Sequence, residues 1–185
     1  MVKILGIAGS LRAKSYNSAL LKAAVELQPE GTQIEVASIR GIPLYDGDLE
    51  AGDGIPASVM ALKEKIVRAD GLLLVTPEYN NSVPGVLKNA VDWLSRPSAD
   101  IPRVFGNRPV AVIGTSPGGF GTILAQAAWL PVLRTLRARP FFGGRLMVSR
   151  AGDVFDESGA LQDEKIRAQL GDFLQGFSGF IKTSG

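Results

Sequence analysis

The stretch Gly71-Leu72-Leu73-Leu74-Val75-Thr76-Pro77-Glu78-Tyr79-Asn80-Asn81-Ser82-Val83-Pro84-Gly85 changes character twice within a short span. An apolar run gives way to a polar, aromatic segment held between two prolines, and an amphipathic run, residues 86–94, follows. A continuous apolar run of this length reads as a strand buried on both faces, as parallel strands are. Pro77 and Pro84 restrict the backbone at both ends of the polar segment and bias Thr76 and Val83 toward extended conformations. Between them lie a carboxylate, a phenol, two amides and a hydroxyl. Strand-to-helix connections are common and many carry no function. This one reads as a rigid ligand platform at the carboxyl end of a buried strand.

Outward from that strand, the pattern repeats. Residues 2–7, 33–39, 110–114 and 141–148 read as four further strands, the last interrupted by Gly143 and Gly144. Residues 18–27, 57–69, 86–94, 122–136 and 163–181 carry apolar positions at helical spacing. Pro131 is expected to kink or break the fourth of these helices. Residues 41–56 form a long loop with four acidic positions, and residues 151–159 a turn-rich excursion. Strands alternating with helices predict an α/β fold: a doubly wound, five-stranded parallel sheet with right-handed crossovers and helices on both faces. The expected strand order is the flavodoxin-like 2-1-3-4-5, and no linker or repeat divides residues 1–185, so one domain is expected.

Composition narrows the chemistry. The chain has 185 residues, 45% of them hydrophobic and 21% charged, with a net charge of +2, the profile of a globular protein. No dense basic run exists; Arg134, Arg137 and Arg139 read as a solvated helix face, so nucleic acid is not an expected partner. No apolar run approaches the roughly 18 residues of a membrane span. Residues 1–8 run into Gly9-Ser10-Leu11-Arg12 rather than a cleavage pattern, and a cytoplasmic location is expected. The chain contains no Cys and no His. Thiol catalysis, a histidine-based triad and an ordinary zinc site are thereby excluded, no metal ligands are assigned, and the chemistry is expected to come from a bound cofactor.

In a 2-1-3-4-5 sheet, ligands bind at the carboxyl ends of the strands near the switch point. That rule brings together residues 9–17, 76–84 and 115–121. The first loop, with Ser10, Arg12, Ser15, Asn17 and Ser18 ahead of a helix, suits a phosphate: hydroxyls and an amide donate, Arg12 adds a planar charge, and the helix start adds free N–H groups. Capping alone would explain Ser15 or Asn17 but not the set. The loop is neither a Walker A sequence nor a G-x-G-x-x-G fingerprint. The third loop, Thr115-Ser116-Pro117-Gly118-Gly119-Phe120-Gly121, lets backbone approach a flat ligand; Phe120 reads as a packing residue. A phosphate at loop 1 and an aromatic ring between loops 2 and 3 describe flavin mononucleotide, whose hydride chemistry with NAD(P)H requires no His or Cys and no side chain as obligatory acid or base.

At these residues the chain resembles the NADPH-dependent FMN reductase family, most of all its bacterial quinone, chromate and azo-dye reductase branch. Three motifs carry the resemblance: Gly9-Ser10-Leu11-Arg12-x-x-Ser15-x-Asn17, then Ile42-Pro43-Leu44-Tyr45-Asp46-x-Asp48, and the long run from Thr76 to Ser95 that includes Ser82, Lys88, Asn89, Asp92 and Trp93. The resemblance implies FMN phosphate at Ser10, Arg12, Ser15, Asn17 and Ser18. It places Pro77, Glu78, Tyr79, Asn80 and Ser82 beside the ribityl chain and ring, and Ser116, Gly118 and Gly119 on the other edge. It implies NAD(P)H as donor, a quinone-like or otherwise permissive small-molecule acceptor, and a homodimer or homotetramer. Residues 41–56 and 84–95 are then candidates for partner contacts; Trp93 and Leu94 read equally well as core. The competing readings are a flavodoxin-like electron carrier and a flavin-based redox sensor.

Overall fold

The computed structural model describes residues 1–183. Its parallel sheet runs β2-β1-β3-β4-β5, the expected order. The strands are β1 (Val2–Ala8), β2 (Thr32–Ala37), β3 (Gly71–Val75), β4 (Pro109–Thr115) and β5 (Arg139–Pro140). The helices are α1 (Tyr16–Glu26), α2 (Gly47–Asp53), α3 (Ala57–Arg68), α4 (Gly85–Leu94), α5 (Ile101–Val104), α6 (Ile123–Thr135), α7 (Ala151–Val154) and α8 (Glu164–Lys182). Register is set by alternation. Leu73 and Val75 of β3 face one core layer with α1 and α8, while Leu72 and Leu74 face the other with α3, α4 and α6. All five residues of β3 are buried, as its apolar run requires.

Four expectations are corrected. The long loop 41–56 contains α2, started by the Asp46 carboxylate accepting from Asp48 N–H at 2.9 Å. This segment is strapped to α4: the Asn89 side chain donates to Pro43 C=O and accepts from Tyr45 N–H, and the Trp93 indole donates to the same Pro43 carbonyl. Tyr45 and Arg96 converge on Glu50, which draws the Glu50 carboxyl below its ordinary pKa and raises the Tyr45 phenol. Trp93 and Leu94 are therefore core.

The fifth strand, expected over residues 141–148, is two short pieces. β5 pairs with the start of β4, and β6 (Met147–Val148) pairs with its end. Between them Phe141 turns inward against Phe173, Phe177 and Phe180, with ring centroids 5.4–5.6 Å apart. A Cβ at Gly143 would lie 2.5 Å from that ring, so glycine is what lets the chain detour. The basic trio also divides. Arg134 and Arg137 are exposed, but Arg139 is half-buried with its guanidinium over the Phe180 ring at 4.7 Å. Pro131 lies within an unbroken α6.

Candidate functional site

At the carboxyl edge of the sheet the loops after β1, β3 and β4 meet, here loops 1, 2 and 3. Gly9 seats loop 1 against loop 2 and α4: a Cβ there would lie 2.7 Å from Leu87 and 2.9 Å from Pro77. Loop 2 is stiffened from inside. The Trp129 indole donates to Thr76 Oγ1 at 3.0 Å, and that hydroxyl donates to Pro77 C=O. Beyond Pro77 the chain makes a tight hairpin, in which Tyr79 and Ser82 exchange both backbone hydrogen bonds. Asn80 and Asn81 occupy its centre at φ 50° and 60°. That is the type I′ arrangement, which needs residues tolerant of left-handed backbone, and asparagine is among the few that are. The two amides of the platform are thus turn residues first.

Two side chains tie the loops into one body. The Glu78 carboxylate reaches α6 and accepts from Leu124 N–H and Ala125 N–H, both at 2.9 Å. It caps a helix whose own N-cap residue, Thr122, makes no side-chain cap bond. Asn17 does the same for loop 1 and β4. Its Oδ1 accepts from Thr115 N–H at 3.0 Å and its Nδ2 donates to Thr115 C=O at 2.9 Å. β3 has turned away at Pro77, so the Asn17 amide takes the place of the next strand beside β4.

The result is an open cleft with a volume of about 120 Å³. From loop 1 come Ser10, Arg12, Ser15, Tyr16 and Asn17; from loop 2, Pro77, Glu78 and Tyr79; from loop 3, Thr115, Ser116 and Pro117. Of the expected residues, Ser18, Asn80, Ser82, Gly118 and Gly119 lie outside this lining. Ser18 opens instead onto two neighbouring clefts flanking α1. Gly118 and Gly119 are exposed, and a Cβ on either would meet nothing closer than 3.8 Å, so the fold itself does not demand glycine there. Phe120 is 83% exposed, contrary to the packing role expected of it.

The lining suits an anion with a polar tail. Ser15 caps α1 by accepting from Ser18 N–H, and Ser10 accepts from Arg12 N–H, so both hydroxyl protons remain to donate outward. Tyr16 and Asn17 N–H, in the first turn of α1, have no preceding helical carbonyl. Among the described residues no hydrogen bond or ion pair holds the Arg12 side chain. The one carboxylate in the lining, Glu78, faces α6 amides. Thr115 Oγ1 is buried without a partner. These donors fit FMN, with loop 1 for its phosphate and Ser116 beside its polar atoms. Sequence reading missed Thr115, Tyr16 and the bridging role of Asn17; the only sequence signal for Thr115 was its position at the carboxyl end of a central strand.

The chain is similar to known proteins. A family profile described as NADPH-dependent FMN reductase matches residues 2–153. An NAD(P)H-dependent FMN reductase of Pseudomonas aeruginosa is 45% identical over 181 residues, covering 98% of this chain and 96% of its own. A 2-hydroxy-1,4-benzoquinone reductase of a Burkholderia species is 37% identical, covering 98% and 97%. Among solved structures, a flavoenzyme NAD(P)H:(acceptor) oxidoreductase from Paracoccus denitrificans superposes with a TM-score of 0.88 at 34% identity, covering 100% of both chains.

Proposed function

The chain belongs to the NADPH-dependent FMN reductase family, and from that premise we propose that it holds FMN in the three-loop cleft and uses NAD(P)H to reduce quinones or similar small acceptors. The observation that carries the reading is the convergence of an acid-free, donor-rich loop and a stiffened aromatic loop on one cleft. Bound FMN would supply the hydride-accepting and hydride-donating chemistry, which is why a chain without His or Cys suffices.

The chain's own part is positional. Arg12, Ser10, Ser15 and the first-turn amides of α1 bind the phosphate. Pro77, Glu78 and Tyr79 form a wall that Trp129, Thr76 and the Asn80-Asn81 turn keep from shifting. Tyr79, 52% exposed, lies at the rim where a flat donor or acceptor would enter. Ser116 offers a polar side chain to the opposite edge. Pre-organisation of this kind lowers the cost of aligning two planar partners.

A homodimer, or a homotetramer built from it, goes with this reading. No helix among the described residues is long and apolar enough to cross a membrane, yet α6 exposes Ile123, Leu124 and Leu130 beside Phe120 and Tyr79. Several exposed large apolar side chains on one element suit a contact surface. The outward side of α4 is the Lys88–Asp92 ion pair, with Asn89 and Trp93 committed to the 43–45 segment, so α6 is the better contact.

The test is gel filtration of the purified protein after incubation with FMN, followed by NADPH and NADH oxidation with a small quinone panel. Co-elution of flavin and turnover without any added reductase are expected. Turnover only with a separate reductase would instead favour an electron carrier, and no retained flavin would remove the basis of the proposal.

A further inference from the structure

Residues 10–14 of loop 1 have little of their own to hold them. None belongs to a helix or strand, and residues 11–14 are exposed. Among the described residues two hydrogen bonds fix this segment. Inside it, Arg12 N–H donates to Ser10 Oγ at 3.3 Å. From outside it, Arg40 Nη2 donates to Leu11 C=O at 2.7 Å. Both bonds act on one peptide unit, because Leu11 C=O and Arg12 N–H are opposite ends of the same plane, kept flat by its partial double bond. A plane held at both ends does not flip. Its carbonyl, an acceptor that would repel a phosphate, stays turned to Arg40. Ser10 Oγ stays occupied as an acceptor, so its proton is the part left to donate. The direction in which the Arg12 side chain leaves the backbone is set by the same plane.

Arg40 is well placed to do this. β1 and β2 are parallel neighbours, so the turn after β2 stands beside the turn after β1. Ile39, 4% exposed, roots the second turn in the core layer with α3 and α4. Arg40 N–H donates to Ser38 Oγ at 3.1 Å, which fixes the base of its side chain. Among the described residues the guanidinium has one hydrogen-bond partner, the Leu11 carbonyl, and no carboxylate. A charged donor makes that bond stronger than a neutral one would. Arg40 lines the neighbouring cleft between α1 and β2 and not the three-loop cleft, so its effect on a ligand in the latter passes through loop 1.

We propose that Arg40 is a positioning residue for the phosphate of FMN: through the Leu11–Arg12 peptide it keeps Ser10 and Arg12 in the arrangement that receives the phosphate. Ordering the loop before the ligand arrives removes that cost from binding. The inference rests on the proposed FMN site for its choice of ligand.

The experiment compares FMN with riboflavin, which has the same ring and ribityl chain but no phosphate. Dissociation constants are measured by fluorescence quenching for wild type, Arg40→Ala and Arg40→Lys, at low salt and at about 0.5 M salt. Arg40→Ala should bind FMN about tenfold more weakly, the effect of losing one charge-assisted hydrogen bond. Its riboflavin affinity and its urea midpoint without flavin should match wild type. Arg40→Lys keeps the charge and a donor for Leu11 C=O, and should recover part of the loss. The ratio of wild-type to Arg40→Ala affinity for FMN should persist at the higher salt, where an exposed charge acting from a distance is screened. Unchanged FMN affinity in Arg40→Ala overturns the proposal. So does an equal loss for riboflavin, which marks a general role in the fold, and so does a loss that vanishes in salt, which marks a distant charge. Each of these leaves the FMN site intact. Wild-type protein that binds FMN no more tightly than riboflavin would instead overturn the phosphate site of loop 1, and the proposal with it.

Discussion

Replacing Asn17 with alanine removes the two hydrogen bonds that join loop 1 to the end of β4. The carboxamide is 5% exposed and makes two bonds, at 2.9 and 3.0 Å, to the carbonyl and amide of Thr115. Alanine keeps the helix but leaves two backbone groups buried and unpaired. Each such group costs about 1–3 kcal/mol. The adjoining cleft lets water reach part of the gap, so the lower half of the summed range applies, about 2–4 kcal/mol. For a chain of this size that corresponds to roughly 4–16 °C in Tm. Urea unfolding without FMN, followed through the buried Trp93 and Trp129, isolates the term from ligand stabilisation. Asn17→Asp is the decisive companion, because it retains the acceptor for Thr115 N–H but places a second acceptor against Thr115 C=O. It should be no more stable than the alanine variant. A loss below about 0.5 kcal/mol in Asn17→Ala would refute the bridging role, and Asn17 would then be a phosphate contact of loop 1 as the sequence suggested.

Arg12→Ala should weaken FMN retention on gel filtration while leaving the urea midpoint unchanged, since no hydrogen bond or ion pair among the described residues holds that side chain. Glu78→Ala should uncap α6 and cost about 1–2 kcal/mol by thermal unfolding, within the range of lost N-caps; Glu78→Gln, which keeps an acceptor, should recover most of it. Lys63 is fully buried and pairs with Asp100 at 2.9 Å, which lowers the Asp100 pKa. A depressed carboxyl contributes stability that is fully present above its unfolded value of about 4 and lost as pH falls through its lower folded value. Asp100→Asn should therefore be destabilised at neutral pH and lose less stability than wild type between about pH 4 and pH 2; parallel acid-unfolding curves for the two would contradict the pairing.

What was legible in the sequence followed from periodicity and position. The all-buried β3, the strand order and the meeting of three loops all came from apolar runs alternating with helical spacing. The failures have physical causes. Loop 41–56 concealed α2 because its helix is short, acidic and stabilised by distant groups, Asn89, Trp93 and Arg96, that no local window contains. The fifth strand broke because Phe141 gains more by packing among Phe173, Phe177 and Phe180 than by extending the edge. Within the site, residue type was readable but commitment was not. Asn80 and Asn81 look like ligand amides, yet an Asn-Asn pair flanked by residues that pair in register is also a turn signal. Glu78 and Asn17 look like ligand groups, and each holds backbone amides 46 and 98 residues away.

The central claim, that this one cleft holds FMN for NAD(P)H-dependent reduction, is tested most directly by titrating flavin fluorescence with the purified protein and then adding NADPH under anaerobic conditions. The account predicts saturable quenching at one FMN per chain, bleaching of the bound flavin by NADPH, and recovery of its colour on adding a quinone. Quenching that does not saturate, or a bound flavin that NADPH and NADH both leave oxidised, would contradict it.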